Sequence, residues 1–168
     1  EHMDIYLIEA GPRILPMFSE KLSNRAQRDL EKMGVTVKLN TAVQEVKPRS
    51  ILVKGADSIP SEVTIWAAGV KGEPAGATLN LPLDRTRIEV DPTLAVSHYP
   101  YVWAIGDISG AKDAEGRFLP QVAPVALQQG KFVGEQILRL AAGKALTAFK
   151  YRDKGSMATI GRHKAIVQ

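Results

Sequence analysis

The chain has 168 residues, of which 45% are apolar and 24% charged, a composition typical of a globular protein with an ordinary core. It contains no cysteine, which excludes disulfide bridges, thiolate metal sites and a cysteine nucleophile. The net charge of +4 comes from scattered lysines and arginines and argues against nucleic-acid binding, and no apolar run approaches the roughly 20 residues that a membrane-spanning helix needs.

The first third of the chain predicts a strand, a helix, a second strand and a hairpin. Residues 4–9 form an apolar strand that ends in Glu9. A helix is expected from about Ser19 to Met33, with Gly34 as its C-terminal stop. Residues 35–39 predict the second strand, and residues 43–46 and 51–53 predict a hairpin around Pro48-Arg49-Ser50. The apolar stripe of the helix is predicted to consist of Leu22, Ala26, Leu30 and Met33.

The middle of the chain predicts a buried strand at residues 63–66, which ends in Ala67, Ala68 and Gly69. Small residues at a strand end let a flat ring or a backbone approach closely, although core packing explains them almost as well. Residues 71–84 predict a connecting loop. Residues 87–91 predict a short strand, and a turn is expected at residues 91–94.

A strand, a loop and a helix are predicted between residues 101 and 140. The apolar residues 102–105 predict a buried strand with Gly106 and Asp107 at its carboxyl end, where ligands bind in open parallel sheets. The Asp107 carboxylate accepts hydrogen bonds, which suits a hydroxyl-bearing ligand such as a sugar or ribitol, whereas the alternative is an ordinary Gly-Asp turn. In the helix that follows, Gln128 and Gln129 are polar residues expected on an exposed face.

The last part of the chain predicts further strands. Residues 149–152 predict the start of one strand, and residues 157–160 and 165–167 predict a hairpin. His163 has no partner at metal-ligand spacing and is expected at the surface. The sequence predicts neither a metal site nor a catalytic acid, base or nucleophile.

Four segments together resemble one family, the type II NADH:quinone oxidoreductases of the pyridine nucleotide-disulfide oxidoreductase superfamily. These segments are IYLIEAGPRILP (5–16), VTIWAAGV (63–70), YVWAIGDISG with VAPVALQQGKFVGEQI (101–110 and 122–137), and YRDKGSMATIGR (151–162). The resemblance implies an α/β fold that is part of a two-dinucleotide-binding-domain flavoprotein. Residues 1–92 would be the C-terminal part of the Rossmann-like NADH domain, including its β-meander, and residues 93–168 the C-terminal part of the FAD domain.

The resemblance also implies roles for individual residues. Glu9 would bind the adenosine ribose of NADH and repel the 2′-phosphate of NADP, as acidic residues at the end of a second Rossmann strand do, although an acid that ends a strand is ordinarily just solvated. Ala68 and Gly69 would face the nicotinamide. On the flavin side, Gly106 and Asp107 would hold the FAD ribitol, and the helix start at Val122 and Ala123 would point at the flavin ring.

The resemblance also implies that the same helix contacts the electron acceptor. The family commonly shows A-Q-x-x-x-Q beside the quinone, and the matching residues here are 123–128. Gln128 is retained and is implied as a quinone contact. Pro124 replaces the first glutamine, and it has no side-chain donor for a quinone carbonyl.

The implied reaction passes a hydride from NADH to FAD and electrons on to a quinone. Two alternatives are a reductase of the same superfamily with a redox-protein acceptor, and a truncated domain without catalysis. No G-x-G-x-x-G occurs in the sequence, so we expect an internal or C-terminal fragment of a longer enzyme, inactive alone and unable to hold FAD stoichiometrically.

The expected setting follows from the same resemblance. We expect a cytoplasmic protein that meets the inner face of the cell membrane only through segments outside this chain. Unpaired sheet edges would favour self-association, with a homodimer as the simplest form.

Overall fold

The structure, a computed structural model, describes residues 3–55 and 58–168. The chain divides into two compact units, one formed by Glu1–Ala67 with Gly155–Gln168 and the other by Ala68–Lys154. The boundary near residue 92 between an NADH domain and an FAD domain differs from this division and stays a prediction.

The described residues form eleven strands, three α-helices and one short 3-10 helix. In chain order these are β1 (Ile5–Ile8), α1 (Glu20–Lys32), β2 (Val35–Lys38), β3 (Val43–Lys47), β4 (Ser50–Val53), β5 (Ile59–Pro60), α2 (Ala75–Thr78), β6 (Leu83–Asp84), β7 (Arg87–Ile88), β8 (Ala95–Val96), β9 (Tyr99–Trp103), the 3-10 helix (Gly106–Ile108), α3 (Ala123–Ala141), β10 (Met157–Ile160) and β11 (Lys164–Val167).

The first unit is built on a β-α-β arrangement, as the sequence predicts. β1 and β2 are parallel, with Ile5 opposite Val35 and Ile8 opposite Lys38, and α1 supplies the crossover that parallel strands need. The β10–β11 hairpin, also confirmed, adds two side chains to the core of this unit. The buried core residues are Ile14, Phe18, Ala26, Ile160 and Ile166.

Helix α1 confirms its predicted bounds to within one residue at each end, and Gly34 has the left-handed φ of +87° expected of a C-terminal stop. Its stripe differs in two positions. Met33 is 46% exposed because it lies beyond the last helical residue. Ser23 is buried instead, and it tolerates burial because its hydroxyl donates to the Leu15 carbonyl over 3.1 Å.

The predicted hairpin is present as β3 and β4, which are antiparallel with Lys47 opposite Ser50. Arg49 makes the turn with a φ of +67°. β5 adds a third strand beside β4, and Ile51 and Val53 turn inward and are buried.

Two predicted strands are not strands in the described part of the chain. Residues 63–66 pair with no strand, and Val63, Ile65 and Trp66 are 80%, 86% and 66% exposed. Residues 149–152 are likewise without a ladder, although the Phe149 N–H donates to the Pro92 carbonyl. An apolar run becomes a buried strand only where a neighbouring strand forms hydrogen bonds with its backbone N–H and C=O groups. Neither segment has such a neighbour among the described residues.

The second unit has short strands and one long helix. β6 pairs with β7 and β8 with β9, each pair antiparallel. The turn predicted at residues 91–94 is confirmed by the Leu94 N–H, which donates to the Asp91 carbonyl. The larger core cluster of the unit contains Leu94, Ala111, Leu119, Val125 and Val133.

The strand predicted as buried at residues 102–105 differs from the structure in length and environment. β9 runs from Tyr99 to Trp103, and Val102 and Ile105 are 42% and 36% exposed. Its ladder is an antiparallel pairing with the two-residue β8, so only one short neighbour covers it. Within the predicted strand, Ala104 alone is fully buried.

Helix α3 is confirmed over 19 residues, and Pro124 lies in its first turn, where a missing N–H costs nothing. Its buried positions are Val125, Gln129, Val133 and Gln136. No helix within residues 3–55 and 58–168 combines the length and the apolar character that a membrane crossing requires.

A charged pair fastens α1 to β11 and generates a pH prediction. The Lys164 ammonium lies 2.6 Å from Asp29, and this hydrogen bond is the main reason that the pKa of Asp29 falls below its ordinary 3.8. A carboxyl with a lowered native pKa stabilises the fold above its unfolded pKa, and the contribution disappears as the pH falls through the native pKa.

We therefore expect Asp29→Asn to unfold at a lower temperature than the wild type at pH 7, with the difference shrinking below about pH 4. Thermal unfolding by circular dichroism between pH 2 and pH 7 measures it. Glu45→Gln removes a carboxylate from an exposed pair and should change little. A difference for Asp29→Asn that stays constant with pH would contradict the role of the ion pair.

Candidate functional site

The Gly106-Asp107 turn lies directly after β9. Gly106 has a φ of +68°, a left-handed conformation that a residue with a side chain adopts only with strain. A β-carbon on Gly106 would also lie 3.5 Å from the Ala126 Cβ, so the turn packs closely on the first turns of α3. The Ser109 N–H donates to the Gly106 carbonyl and closes the short 3-10 helix.

Two glutamine side chains hold this turn from its two sides. The Gly106 N–H donates to Gln129 Oε1 over 2.6 Å, and Gln121 Nε2 donates to the Asp107 carbonyl over 2.9 Å. Gln129 is only 1% exposed, so the prediction of an exposed residue is wrong. The burial is possible because its amide oxygen accepts a backbone N–H, which offsets the loss of water.

The Asp107 carboxylate is the one acidic group at this turn. Asp107 is half-buried, and no donor in residues 3–55 or 58–168 is hydrogen-bonded to its carboxylate oxygens. Its backbone is fixed while its acceptors remain available, which fits a ligand that offers hydroxyl donors.

Gly72 packs against the back of the same turn. A β-carbon on Gly72 would come within 3.0 Å of the Asp107 carbonyl oxygen and 3.2 Å of the Ile108 Cα. The glycine is therefore needed for close packing of two backbone segments.

Helix α3 begins beside this turn without a side-chain cap. Val122 is the N-cap residue, and its side chain makes no capping hydrogen bond. Ala123 is exposed, and no acceptor in the described chain pairs with its N–H. An uncapped helix start presents N–H groups and the positive end of the helix dipole, which suits an electron-rich ligand atom.

Gln128, the candidate quinone contact, uses its amide in both directions within the chain. Its Nε2 donates to the Arg152 carbonyl over 2.9 Å, and its Oε1 accepts the Arg152 N–H over 3.0 Å. It lines a surface hollow of about 330 Å³, whose other lining residues are Pro124, Leu127, Lys131 and Lys154. The surface of the hollow is mainly apolar, and two of its five lining residues are lysines.

Glu9 lies in the first unit, immediately after β1. One of its carboxylate oxygens accepts the Gly11 N–H over 2.7 Å. Its own N–H donates to the Lys38 carbonyl, and its carbonyl accepts the Thr41 N–H, so the backbone is held on both sides. Arg13 donates to the Pro16 carbonyl over 2.9 Å.

Ala68 and Gly69 lie in an exposed segment without regular structure. Gly69 has a φ of +121°, and a β-carbon there would meet no atom within 4 Å. Conformation rather than space therefore favours glycine at this position.

The sequence interpretation missed Gln121, Gln129 and Gly72. The signal for Gln129 was available, since it lies four residues after Val125 and four before Val133, on the face that these apolar residues bury. No local pattern points to Gly72. Among the described residues, no three histidine or acidic side chains come close enough to hold a metal ion.

Residues 2–130 match the family model of the pyridine nucleotide-disulphide oxidoreductases. The chain belongs to this family. Curated relatives include the type II NADH:quinone oxidoreductases of Mycobacterium tuberculosis, 36% identical over 98% of the chain, and of Haemophilus influenzae, 31% identical over 98%. The chain spans 37% of the length of each of these two proteins.

Solved structures agree with this family fold. An FAD-dependent pyridine nucleotide-disulphide oxidoreductase from Desulfovibrio vulgaris is 27% identical with a TM-score of 0.73, over 94% of this chain and 41% of that protein. The NDH2 of Plasmodium falciparum, solved in complex with NADH, gives a TM-score of 0.86 at 17% identity, over 98% and 50%. The predicted resemblance to type II NADH:quinone oxidoreductases and the predicted fold class are confirmed.

The close packing behind Asp107 gives a direct test. Gly72→Ala should lower the free energy of unfolding by roughly 1–3 kcal/mol, because its methyl group meets backbone atoms that cannot move aside easily. Gly134→Ala is the matched control, since a β-carbon at this α3 position meets nothing within 4 Å. Alanine there should stabilise the helix by up to about 1 kcal/mol. Urea unfolding measures both, and shifts of the same sign would contradict the packing described.

Proposed function

We propose that this chain forms the nicotinamide- and flavin-facing part of an NADH:quinone oxidoreductase that uses FAD. The observation that carries the proposal is the Asp107 carboxylate, whose backbone is fixed and whose oxygens are unpaired within the described chain. The family and the names of its relatives supply the chemical context.

Asp107 would bind the ribitol of FAD. A carboxylate accepts hydrogen bonds from adjacent hydroxyls, and Gly106 leaves room for the chain to approach them. FAD, when bound, accepts a hydride from NADH and passes the electrons to the acceptor.

The start of α3 would lie against the flavin ring. The free N–H of Ala123 and the positive end of the helix dipole would stabilise electron density there, and Val122 would contact the ring through its exposed side chain. Pro124 fixes the backbone of this first turn without adding a donor.

The nicotinamide nucleotide would involve the other named residues. One carboxylate oxygen of Glu9 accepts the Gly11 N–H. The other oxygen would accept a hydrogen bond from a ribose hydroxyl of NADH. The exposed Ala68-Gly69 segment would admit the nicotinamide because neither residue carries a bulky side chain. We assign residues 1–92 to the NADH domain and residues 93–168 to the FAD domain.

The acceptor would be a quinone that enters the hollow beside Gln128. The apolar surfaces of Pro124 and Leu127 suit a flat ring, and the ammonium groups of Lys131 and Lys154 suit its carbonyl oxygens. Gln128 would hold the backbone of Arg152 through two hydrogen bonds, with one amide proton left for the quinone.

A redox protein is the second candidate acceptor. The amide of Gln128 is engaged with Arg152, and Pro124 has no side-chain donor, so few groups remain to recognise a quinone head group. The two exposed lysines of the hollow, Lys131 and Lys154, would also suit an acidic protein surface.

We also propose that the chain self-associates. Val63, Ile65 and Trp66 expose an apolar stretch without a neighbouring strand in the described residues. Such surfaces are commonly covered by a second chain.

The flavin proposal is tested by titrating the purified chain with FAD and following flavin fluorescence. We expect the chain to be purified with less than one FAD per chain and to take up added FAD weakly. Asp107→Ala should weaken that binding about tenfold or more, because a hydrogen bond to a charged group is lost. Glu89→Ala, an exposed carboxylate elsewhere in the same unit, is the control. Equal affinity for the wild type and Asp107→Ala would refute the ribitol role.

Added NADH and a soluble quinone then separate the acceptors. Bleaching of the bound flavin by NADH and its recovery on adding the quinone would support quinone reduction. Bleaching without recovery would favour the redox-protein alternative, and a flavin that NADH never bleaches would favour the alternative of a domain without catalysis of its own.

A further inference from the structure

Gln129 is a buried helix residue whose carbonyl oxygen accepts the N–H of the residue before Asp107. We propose that Gln129 is a positioning residue, which sets the direction of the Asp107 carboxylate toward a polyol ligand. The inference rests on the proposed function, because it gives Asp107 its role in ribitol binding.

The turn needs an external constraint because of its own composition. Gly106 has no side chain to restrict its backbone, and its φ of +68° is one of several conformations open to glycine. Without a partner for its N–H, the peptide between Ile105 and Gly106 could rotate and carry Asp107 with it. The 2.6 Å hydrogen bond to Gln129 fixes the plane of that peptide.

Gln121 fixes the backbone carbonyl of Asp107. Its Nε2 donates to the Asp107 carbonyl over 2.9 Å, so one glutamine holds the Ile105–Gly106 peptide and the other holds the peptide that follows Asp107. The carboxylate itself takes part in neither bond and stays available for a ligand. The pair of glutamines acts as a clamp on the Asp107 backbone.

Gln129 connects this clamp to the core. It lies between Val125 and Val133 on the buried face of α3, and both valines belong to the larger core cluster of the unit. A residue that is 1% exposed cannot turn to water, so an amide or N–H left unpaired at this position would have no solvent partner. The packed core therefore fixes the position of Asp107 through Gln129, so that the position does not depend on the loop alone.

Gln136 provides a matched control on the same helix. It is also 1% exposed, and its Oε1 accepts the Thr147 N–H over 2.8 Å. Gln129→Met and Gln136→Met each remove one buried acceptor with little change in side-chain volume, and only the first touches the Asp107 turn. Gln129→Glu keeps an acceptor oxygen in either protonation state and serves as the rescue variant.

The first measurement is amide hydrogen exchange, followed by NMR in the purified chain. Gln129→Met should accelerate exchange at Gly106 by roughly tenfold or more, whereas Gln136→Met should accelerate exchange at Thr147 and leave Gly106 unchanged. Gln129→Glu should restore protection at Gly106. If Gln129→Met does not fold, Gln129→Glu alone decides: protection at Gly106 that is kept supports the role of the acceptor oxygen, and protection that is lost in a folded chain overturns it.

The second measurement separates positioning from plain stability through a double-mutant cycle on FAD affinity. Gln129→Met should weaken binding by about the same factor as Asp107→Ala, and the double variant should bind no more weakly than Asp107→Ala alone. Gln136→Met should bind FAD as the wild type does. A merely structural role would weaken binding equally in both glutamine variants.

Unchanged exchange at Gly106, or independent and additive losses of affinity from Gln129→Met and Asp107→Ala, would overturn the positioning role. A wild-type chain that takes up no FAD overturns the proposed function together with the ligand part of this inference, and the exchange data then still decide whether Gln129 holds the turn.

Discussion

The hydrogen bond between the Gly106 N–H and Gln129 Oε1 joins the Gly106-Asp107 turn of the second unit to the longest helix described in that unit. The strands of this unit are two to five residues long, so ladders alone hold its loops weakly. Glutamine side chains of helix α3 hold these loops through hydrogen bonds instead. Gln129 holds the turn before Asp107, Gln136 holds Thr147, and Gln128 holds Arg152 through two hydrogen bonds. Every one of these contacts uses a glutamine, whose amide can both donate and accept without a buried charge.

This arrangement explains how the Asp107 carboxylate can stay available to accept hydrogen bonds from a ligand. A carboxylate that accepts hydrogen bonds from its own loop has fewer acceptor sites for a ligand. Asp91 is an example, because one of its oxygens accepts the Thr93 N–H over 2.7 Å and the Ala95 N–H over 3.3 Å. At the Gly106-Asp107 turn the ordering is done by Gln129 and Gln121 instead. The Asp107 carboxylate is thereby left for external donors. The proposed function depends on this division between the residues that order the turn and the residue that contacts the ligand.

The sequence predicted the elements whose evidence is local. α1 and α3 follow from apolar spacing, and the hairpins at β3–β4 and β10–β11 follow from short alternating segments with turn residues between them. Residues 63–66 failed, because a strand needs a partner that local sequence does not specify, and Val102 is exposed for the same reason. At the site, Gly106 and Asp107 were identified from the strand that precedes them. Gln129 was assigned to the surface because it is polar, although its spacing from Val125 and Val133 places it inside.

We infer that the Asp107 turn and the start of α3 together form one ligand-contacting surface. Chemical-shift mapping of the ¹⁵N-labelled chain during addition of FAD tests it most directly. We expect the amide resonances of Gly106, Asp107 and Ala123 to shift together with a single apparent affinity, and those of Thr147 and Lys164 to remain unchanged. Shifts confined to other residues, or no shifts at Gly106 and Asp107 when FAD is in excess, would contradict it.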